Sequence, residues 1–219
     1  MKKGGFDRVS VIPAWGACFA ILALASGCAY NRGQIELKMA ETPNPATGTA
    51  VKFLQVTDNR RFEAAPTEPS IPSLKDGAIS NSAITSRAVA RKRNWMGIAL
   101  GDVLLPPGRT VTQMAREALT RALREAGYRV LGPEDADYGR AVPLTVSVND
   151  FWAWSTVANL EFKTDIRIEG NIEPLRGGLS VQGKARKSLV TGSNAEWMQV
   201  ITMGLEDLNK NVKAKLGRS

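Results

Sequence analysis

The side chains that most often carry out catalysis are scarce in this chain. Its 219 residues include no histidine and two cysteines, Cys18 and Cys28. Without imidazole there is no Ser-His-Asp or Cys-His nucleophile system, and no metal site that depends on histidine ligands. The reactive groups that remain are the carboxylates and the thiol of Cys28, which follows the small residues Ala25, Ser26 and Gly27.

Carboxylates alone support one enzymatic alternative, a glycosidase in which two acids face each other across a cleft. The candidates are Glu134, Asp135, Asp137 and Asp150. Three of these lie within four positions of one predicted loop, and neighbouring acids seldom oppose each other. The loop also lacks the glycine and the distant bidentate glutamate of an EF-hand calcium loop. We therefore expect a solvated acidic turn, no enzymatic activity and no bound metal.

Residues 1–27 have the pattern of a secretory signal peptide. Three basic residues near the start are followed by an apolar stretch over residues 9–25. A retained membrane-spanning helix is the alternative. The stretch is at the short end of the roughly 17–25 residues that such a helix needs, and Pro13 and Gly16 disfavour it further.

The end of this leader, Leu22-Ala23-Leu24-Ala25-Ser26-Gly27-Cys28, resembles the lipobox of bacterial lipoproteins. The resemblance implies that the Cys28 thiol receives a diacylglyceryl group and that Cys28 becomes the mature N-terminus. Because Cys18 would leave with the leader, Cys28 has no disulfide partner. The alternative is ordinary cleavage beside an unmodified cysteine. Ala29 stands where aspartate would resemble an inner-membrane retention signal, which implies attachment to the outer membrane on its periplasmic face.

The formal net charge is +8, of which three basic residues and one acidic residue of the leader account for +2, leaving +6 for the rest. An exported protein is separated from the genome, so the anionic ligands available to its basic surface are lipid headgroups and acidic glycans. We therefore expect a membrane contact through the lipid anchor, an envelope protein partner or else peptidoglycan or lipopolysaccharide, and no nucleic acid. The candidate contacts for an anionic ligand are Arg87, Arg91, Lys92 and Arg93; the alternative is a solvated charged edge.

Composition divides the mature chain into a tether over residues 28–49 and a single periplasmic domain over 50–219. Within the tether, the alternation of residues 35–39 is compatible with an edge strand. Within the domain, Pro66, Pro69 and Pro72 predict a long irregular loop over residues 62–86.

Periodicity predicts the regular elements of the domain. A capping box at Thr110 and Gln113 opens a helix that runs to Ala126 and stops at Gly127. A second helix is predicted over residues 194–216. The predicted strands lie at 50–57, 95–100, 128–131, 144–154, 160–169 and 179–186, and the last three form an antiparallel meander. The resulting fold class is α+β, a two-layer α/β sandwich with a mixed, mostly antiparallel sheet and two helices on one face.

Trp152 and Trp154 fall at the end of a predicted strand, and tryptophan is enriched at interface hot spots. They are therefore candidate contacts for a partner, with core packing an equal alternative.

Three stretches resemble the YajG-like lipoproteins, an uncharacterised bacterial envelope family. They are Val56-Thr57-Asp58-Asn59-Arg60, residues 119–130 with Gly127-Tyr128, and Val148-Asn149-Asp150-Phe151. The resemblance covers about residues 50–190, and lipoproteins that activate penicillin-binding proteins are more distantly similar. It implies a non-enzymatic accessory or interaction module; a peptidoglycan- or lipopolysaccharide-binding module is the alternative.

Overall fold

The protein is built on one mixed β-sheet, which the computed structural model describes over residues 32–94 and 96–217. The strands are β1 (Gly33–Gln34), β2 (Ala50–Asp58), β3 (Ala88–Arg93), β4 (Ala99–Leu104), β5 (Arg129–Val130), β6 (Val142–Ser155), β7 (Asn159–Gly170) and β8 (Leu179–Ser188). The α-helices are α1 (Ser82–Thr85), α2 (Val111–Glu125) and α3 (Asn194–Leu216), with short 3-10 helices at Lys75–Ser80 and Tyr138–Arg140. The predicted α+β class is confirmed. The predicted signal peptide, Cys28 and Trp95 lie outside the described residues.

The long strand β6 organises the sheet. One edge of β6 pairs with β7, which pairs in turn with β8, so the predicted antiparallel meander is confirmed. The other edge is shared by two parallel strands. There, β2 pairs with residues 142–148 and β3 pairs with Ala153 and Trp154. The sheet extends beyond these strands through β4 and β1 on one side and through β5 on the other.

Arg60 fills the gap on the edge of β6 between the end of β2 and the start of β3. Its side chain is fully buried and forms an ion pair of 2.7 Å with Asp58. The guanidinium also donates to the carbonyl oxygens of Ala88 (2.6 Å), Phe151 (3.2 Å) and Thr85 (2.8 Å). Residues 58–61 are therefore a junction between strands, where one side chain supplies donors that a continuous neighbouring strand would supply.

The strand predicted over residues 95–100 is placed differently in the structure. Strand β3 ends at Arg93 and β4 begins only at Ala99, and the two strands pair as an antiparallel hairpin. Asn94 closes the turn between them, because its side-chain oxygen accepts from the backbone N–H groups of Met96 (3.0 Å) and Ile98 (2.8 Å). The buried start of β3, Ala88-Val89-Ala90, supplies the apolar residues that hold the first strand of the hairpin in the core.

The segment predicted as a tether belongs to the fold from residue 32 onward. Gly33 and Gln34 pair in parallel with β4, and the N–H of Ile35 continues the pairing by donating to the carbonyl of Leu104 at 3.0 Å. Ile35 and Leu37 are buried, which makes release of this segment costly. Farther along, Asn44 exchanges two hydrogen bonds with the backbone of Val130.

The segment over residues 62–86 is irregular as far as Leu74 and then forms the first 3-10 helix and α1. It covers a second, smaller core whose buried members are Leu74, Ala88, Leu104 and Trp152. This core is separate from the main one that lies beneath α2 and α3.

Both long helices begin with a capping box, at Thr110 with Gln113 and at Ser193 with Glu196. The predicted start of α2 is thus confirmed, and Gly127 follows the helix with φ of 90°. Helix α2 contacts β2, β5 and β6, helix α3 contacts β6, β7 and β8, and the two helices contact each other. None of the helices in the described ranges has the length and hydropathy to cross a bilayer.

Side chains of α3 bind the backbone along the outer edge of β8. The carboxylate of Asp207 accepts from the N–H of Lys184 at 3.0 Å. Asn211 donates to the carbonyl of Gln182 at 2.8 Å, and Lys215 donates to the carbonyl of Ser180 at 2.7 Å. The helix therefore takes the place of a further strand at this edge.

Glu125 connects α2 to α3. Its carboxylate accepts from Asn209 and Lys213 of α3, each at 3.0 Å, and from Arg121 at 2.8 Å. The hydrogen bond from Asn209 is the largest influence, and together with the two cations it lowers the pKa of Glu125 from 4.5 to about 2.

We expect Glu125→Gln to flatten the dependence of stability on pH in the acid range. Since the pKa of Glu125 is lowered on folding, its contribution is present above about pH 4.5 and is lost as the pH falls towards 2. The group is close to the surface, so the contribution is at most about 1 kcal/mol. Urea unfolding of both proteins at pH 7, 4.5 and 3 measures it. Parallel pH profiles would contradict the assignment, and Glu134→Gln, at an exposed acid, is the control.

Candidate binding groove

A groove runs along the outer face of α2 and is closed on its other side by residues 36–42. Its volume is about 800 Å³, and Pro106 and Arg109 lie at the end near the start of α2. Residues 36–42 form this second wall because the chain, after leaving β1, crosses α2 towards the C-terminal end of the helix. There, Arg124 donates to the carbonyl of Thr42 at 2.7 Å.

Ion pairs hold two of the arginines that line the groove. Arg109 forms a bidentate pair with Glu117, at 2.6 and 2.9 Å, and this hydrogen bonding raises the pKa of Arg109. Arg121 is bound by Glu206 and Glu125; the hydrogen bond that Arg121 donates to Glu206 is the main cause of its raised pKa. These two guanidinium groups are committed to carboxylates of the protein itself.

Two other arginines of the groove form no ion pair with a described carboxylate. The guanidinium of Arg116 lies over the ring of Phe53, 5.2 Å from its centroid. The Nε of Arg124 is buried and has no hydrogen-bond partner among the described residues. Guanidinium groups bind carboxylates and phosphates through paired N–H donors. The groove can therefore accept an anionic group at the exposed guanidinium of Arg116. Arg124 also lines the groove, but its Nε is buried and its Nη1 already donates to Thr42.

The structure removes Trp152 from the candidate contact residues. Its side chain is fully buried in the second core, and its indole N–H donates to the carbonyl of Pro69 at 3.3 Å. The prediction of a surface contact is wrong for Trp152, because segment 62–86 covers the face of β6 on which it lies. Trp154 is half-buried beside the same core and stays a predicted contact.

The predicted basic cluster does not form one patch. Both Nε and Nη2 of Arg87 donate to the carbonyl of Leu105, at 2.9 and 2.8 Å. Lys92 reaches Asn194 at the start of α3, whereas Arg93 reaches Ser73 in a different segment. Partial burial lowers the pKa of both Lys92 and Arg93.

Arg91 is the fourth member of the predicted cluster. Its Nε is buried without a partner among the described residues, and it lies opposite Asp102 in the hairpin. Arg87, Arg91, Lys92 and Arg93 thus point to separate local environments, and none of them lines the groove on α2.

Of the four acids considered for a glycosidase, Asp150 lies apart from the three acids of the 132–141 loop. Asp150 forms an ion pair of 3.1 Å with Lys163 and lines a different, polar cavity of about 630 Å³. Asp137 is paired with Arg140 and Arg129, while Asp135 accepts from the N–H of Gly132 at 2.7 Å. In the described part of the chain, no three acidic or cysteine side chains are close enough together to hold a metal ion.

The groove was not predicted from the sequence. Residues 36–42 fall within the predicted tether, in which residues 35–39 are compatible with an edge strand. One signal was present, since the alternation of Ile35 and Leu37 placed apolar side chains where a packed segment needs them.

No protein-family model and no curated protein matches this chain. One solved structure, described as the crystal structure of an uncharacterized protein, is similar in fold over 84% of this chain and 97% of that protein's chain. The two have 9% sequence identity, and the TM-score is 0.46.

Proposed function

We propose that this protein is a lipid-anchored envelope lipoprotein that acts as a non-enzymatic interaction module on the periplasmic face of the outer membrane. The lipobox resemblance at Cys28 supports the anchor. The observation that carries the interaction module is the groove on α2, because it presents two guanidinium groups that no carboxylate of the described chain neutralises. The resemblance to the YajG-like lipoproteins is consistent with this function and stays a prediction.

The ligand we infer is an acidic segment of an envelope protein. A volume of about 800 Å³ accommodates a few side chains of an extended peptide. Glu36 and Glu41 also line the groove, so a partner with both an anionic and a polar group fits better than a uniformly anionic polymer. The groove lies on α2, which packs against α3. We propose that these two helices cover one face of the sheet.

A second candidate is binding of peptidoglycan or lipopolysaccharide. The same guanidinium groups favour it, since carboxylates and phosphates of these polymers are also bound by paired N–H donors. Sedimentation with purified sacculi at low and raised salt separates the two candidates, because pelleting that is lost with salt would indicate a polymer ligand.

In-cell cross-linking of the tagged, full-length protein tests the proposal. The mass of the mature protein, measured by mass spectrometry, should correspond to a chain that begins at lipid-modified Cys28. We expect one dominant cross-linked envelope protein, and Arg116→Glu should reduce its yield about tenfold by reversing the charge in the groove. Arg176→Glu is the matched control, because Arg176 is an exposed arginine outside the groove lining. Equal yields from the two variants would contradict the assignment of the groove.

A further inference from the structure

Three turns of the chain lie at one end of the sheet. The parallel pairing of Ala90 with Ala153 brings the ends of β3 and β6 together, so the turns at 94–98 and 156–158 are neighbours at that end. The antiparallel pairing of Asn159 with Ser188 brings residues 189–192 to the same end. We call these three turns the hairpin end.

The hairpin end carries most of the exposed large apolar side chains in the described residues. They are Met96, Ile98, Val157 and Val190, exposed by 58, 55, 83 and 79%, and the two elsewhere are Leu54 and Met203. Turns are usually polar, because Gly, Asn, Asp and Ser have the conformations and hydrogen bonds that turns need. Apolar residues in three separate turns at one end are therefore unusual for a surface that faces only water.

Charge also distinguishes the hairpin end from the opposite end of the sheet. The three turns themselves contain no charged residue, but the adjoining stretches 91–93 and 184–187 contain six basic residues and no acidic residue. Two of these basic residues form ion pairs with acids: Arg186 pairs with Glu161, and Lys187 pairs with Glu196. The loops at the opposite end, 132–141 and 171–178, contain four acidic and two basic residues. A basic, apolar end suits an interface of anionic headgroups and acyl chains.

The chain enters the sheet from the same end. Because β1 runs parallel to β4, with Gly33 opposite Val103, the backbone before Gly33 points towards the start of β4 and the hairpin turn. Arg32 is held at this level by an ion pair of 3.2 Å with Asp102. The four residue-to-residue steps from Cys28 to Arg32 can span at most about 14 Å. The stretch of β4 from Asp102 to Ala99 spans about 10 Å.

From these observations, and resting on the lipid anchor of the proposed function, we propose that the hairpin end docks on the membrane that holds Cys28. Met96, Ile98, Val157 and Val190 contact the acyl-chain boundary, and exposed basic residues of the adjoining strands, such as Arg186 and Lys184, contact anionic headgroups. The short connection to Arg32 keeps this end at the lipid surface and turns the groove on α2 away from it.

Spin labelling of the full-length, lipidated protein tests the docking. Cys28 is consumed by the lipid and Cys18 is removed with the leader, so Val157→Cys provides one free thiol for a nitroxide. Ile98→Cys is a second, independent labelling site. Leu54→Cys is the matched control, because Leu54 is similarly exposed but lies on β2 near the start of β6. The proteins are reconstituted in vesicles of phosphatidylethanolamine and phosphatidylglycerol.

We expect the ratio of oxygen to nickel-complex accessibility to be several-fold higher at Val157 and Ile98 than at Leu54. Equal ratios at the three sites, with Cys28 shown by mass to be lipidated, would overturn the docking and leave the anchor intact. An unmodified Cys28 would overturn the anchor, and the docking with it. Dipolar broadening between labels, without increased access to oxygen, would show that a second copy covers this end, and would also overturn the proposal.

Discussion

An Arg60→Ala variant is expected to lose about 3–5 kcal/mol of the free energy of unfolding. The buried guanidinium binds Asp58 and three backbone carbonyls at the junction of β2, β3 and β6. Its removal leaves the carboxylate without its cation and the carbonyl oxygens of Phe151 and Ala88 without these donors. The cost of such unsatisfied groups exceeds the net gain from making the same bonds.

Urea denaturation of the purified full-length protein measures this loss. Arg60→Lys should recover only a small part of the stability, because an ammonium group cannot reproduce the planar fork of the guanidinium. Arg61→Ala, at an exposed arginine next in the chain, should change stability by less than about 0.5 kcal/mol. A loss below about 1 kcal/mol for Arg60→Ala would show that the junction does not depend on this side chain.

Trp152→Ala is expected to destabilise the protein by about 3–5 kcal/mol through loss of buried apolar contacts and creation of a cavity. Trp152 packs edge-to-face against Phe62, with ring centroids 5.9 Å apart, and is fully buried with Leu74 and Leu104. These contacts attach segment 62–86 to the sheet. The variant should therefore also expose that segment to proteolysis.

Thermal unfolding and limited proteolysis compare Trp152→Ala with Trp154→Ala. The second variant should lose less stability, since Trp154 is only half-buried. Comparable losses would contradict the separation that the structure makes between the two tryptophans. Trp152→Phe, which fills most of the site, should recover much of the stability.

The elements that sequence predicts well are those whose pattern is local. Strand β7 alternates apolar and charged residues along its length, and α2 has both a capping box and a regular apolar stripe. Strand β3 was missed because its buried part is only Ala88-Val89-Ala90 and the rest is basic. Its parallel pairing with β6 joins residues more than sixty positions apart, and such a pairing has no signature within either strand.

The sequence of β6 contains a signal for the second core. Residues 144–148 alternate, as expected for a strand with one buried face, but Phe151, Trp152 and Ala153 are consecutive and all buried. A continuous apolar run indicates a strand covered on both faces. The sequence does not say that segment 62–86 provides the second cover. Nor does it indicate the groove, since that requires residues 36–42 and α2 to be brought together.

The hydrogen bonds from α3 to β8 restrict how another chain can associate with this protein. A strand at the end of a sheet usually offers free N–H and C=O groups on which a further strand can form, in specific complexes and in aggregation alike. Here Asp207, Asn211 and Lys215 already occupy such groups along β8. The other terminal strands, β1 and β5, have two residues each. Extension of the sheet by β-augmentation is therefore blocked along this part of β8, and a partner that binds at this edge must do so through side chains.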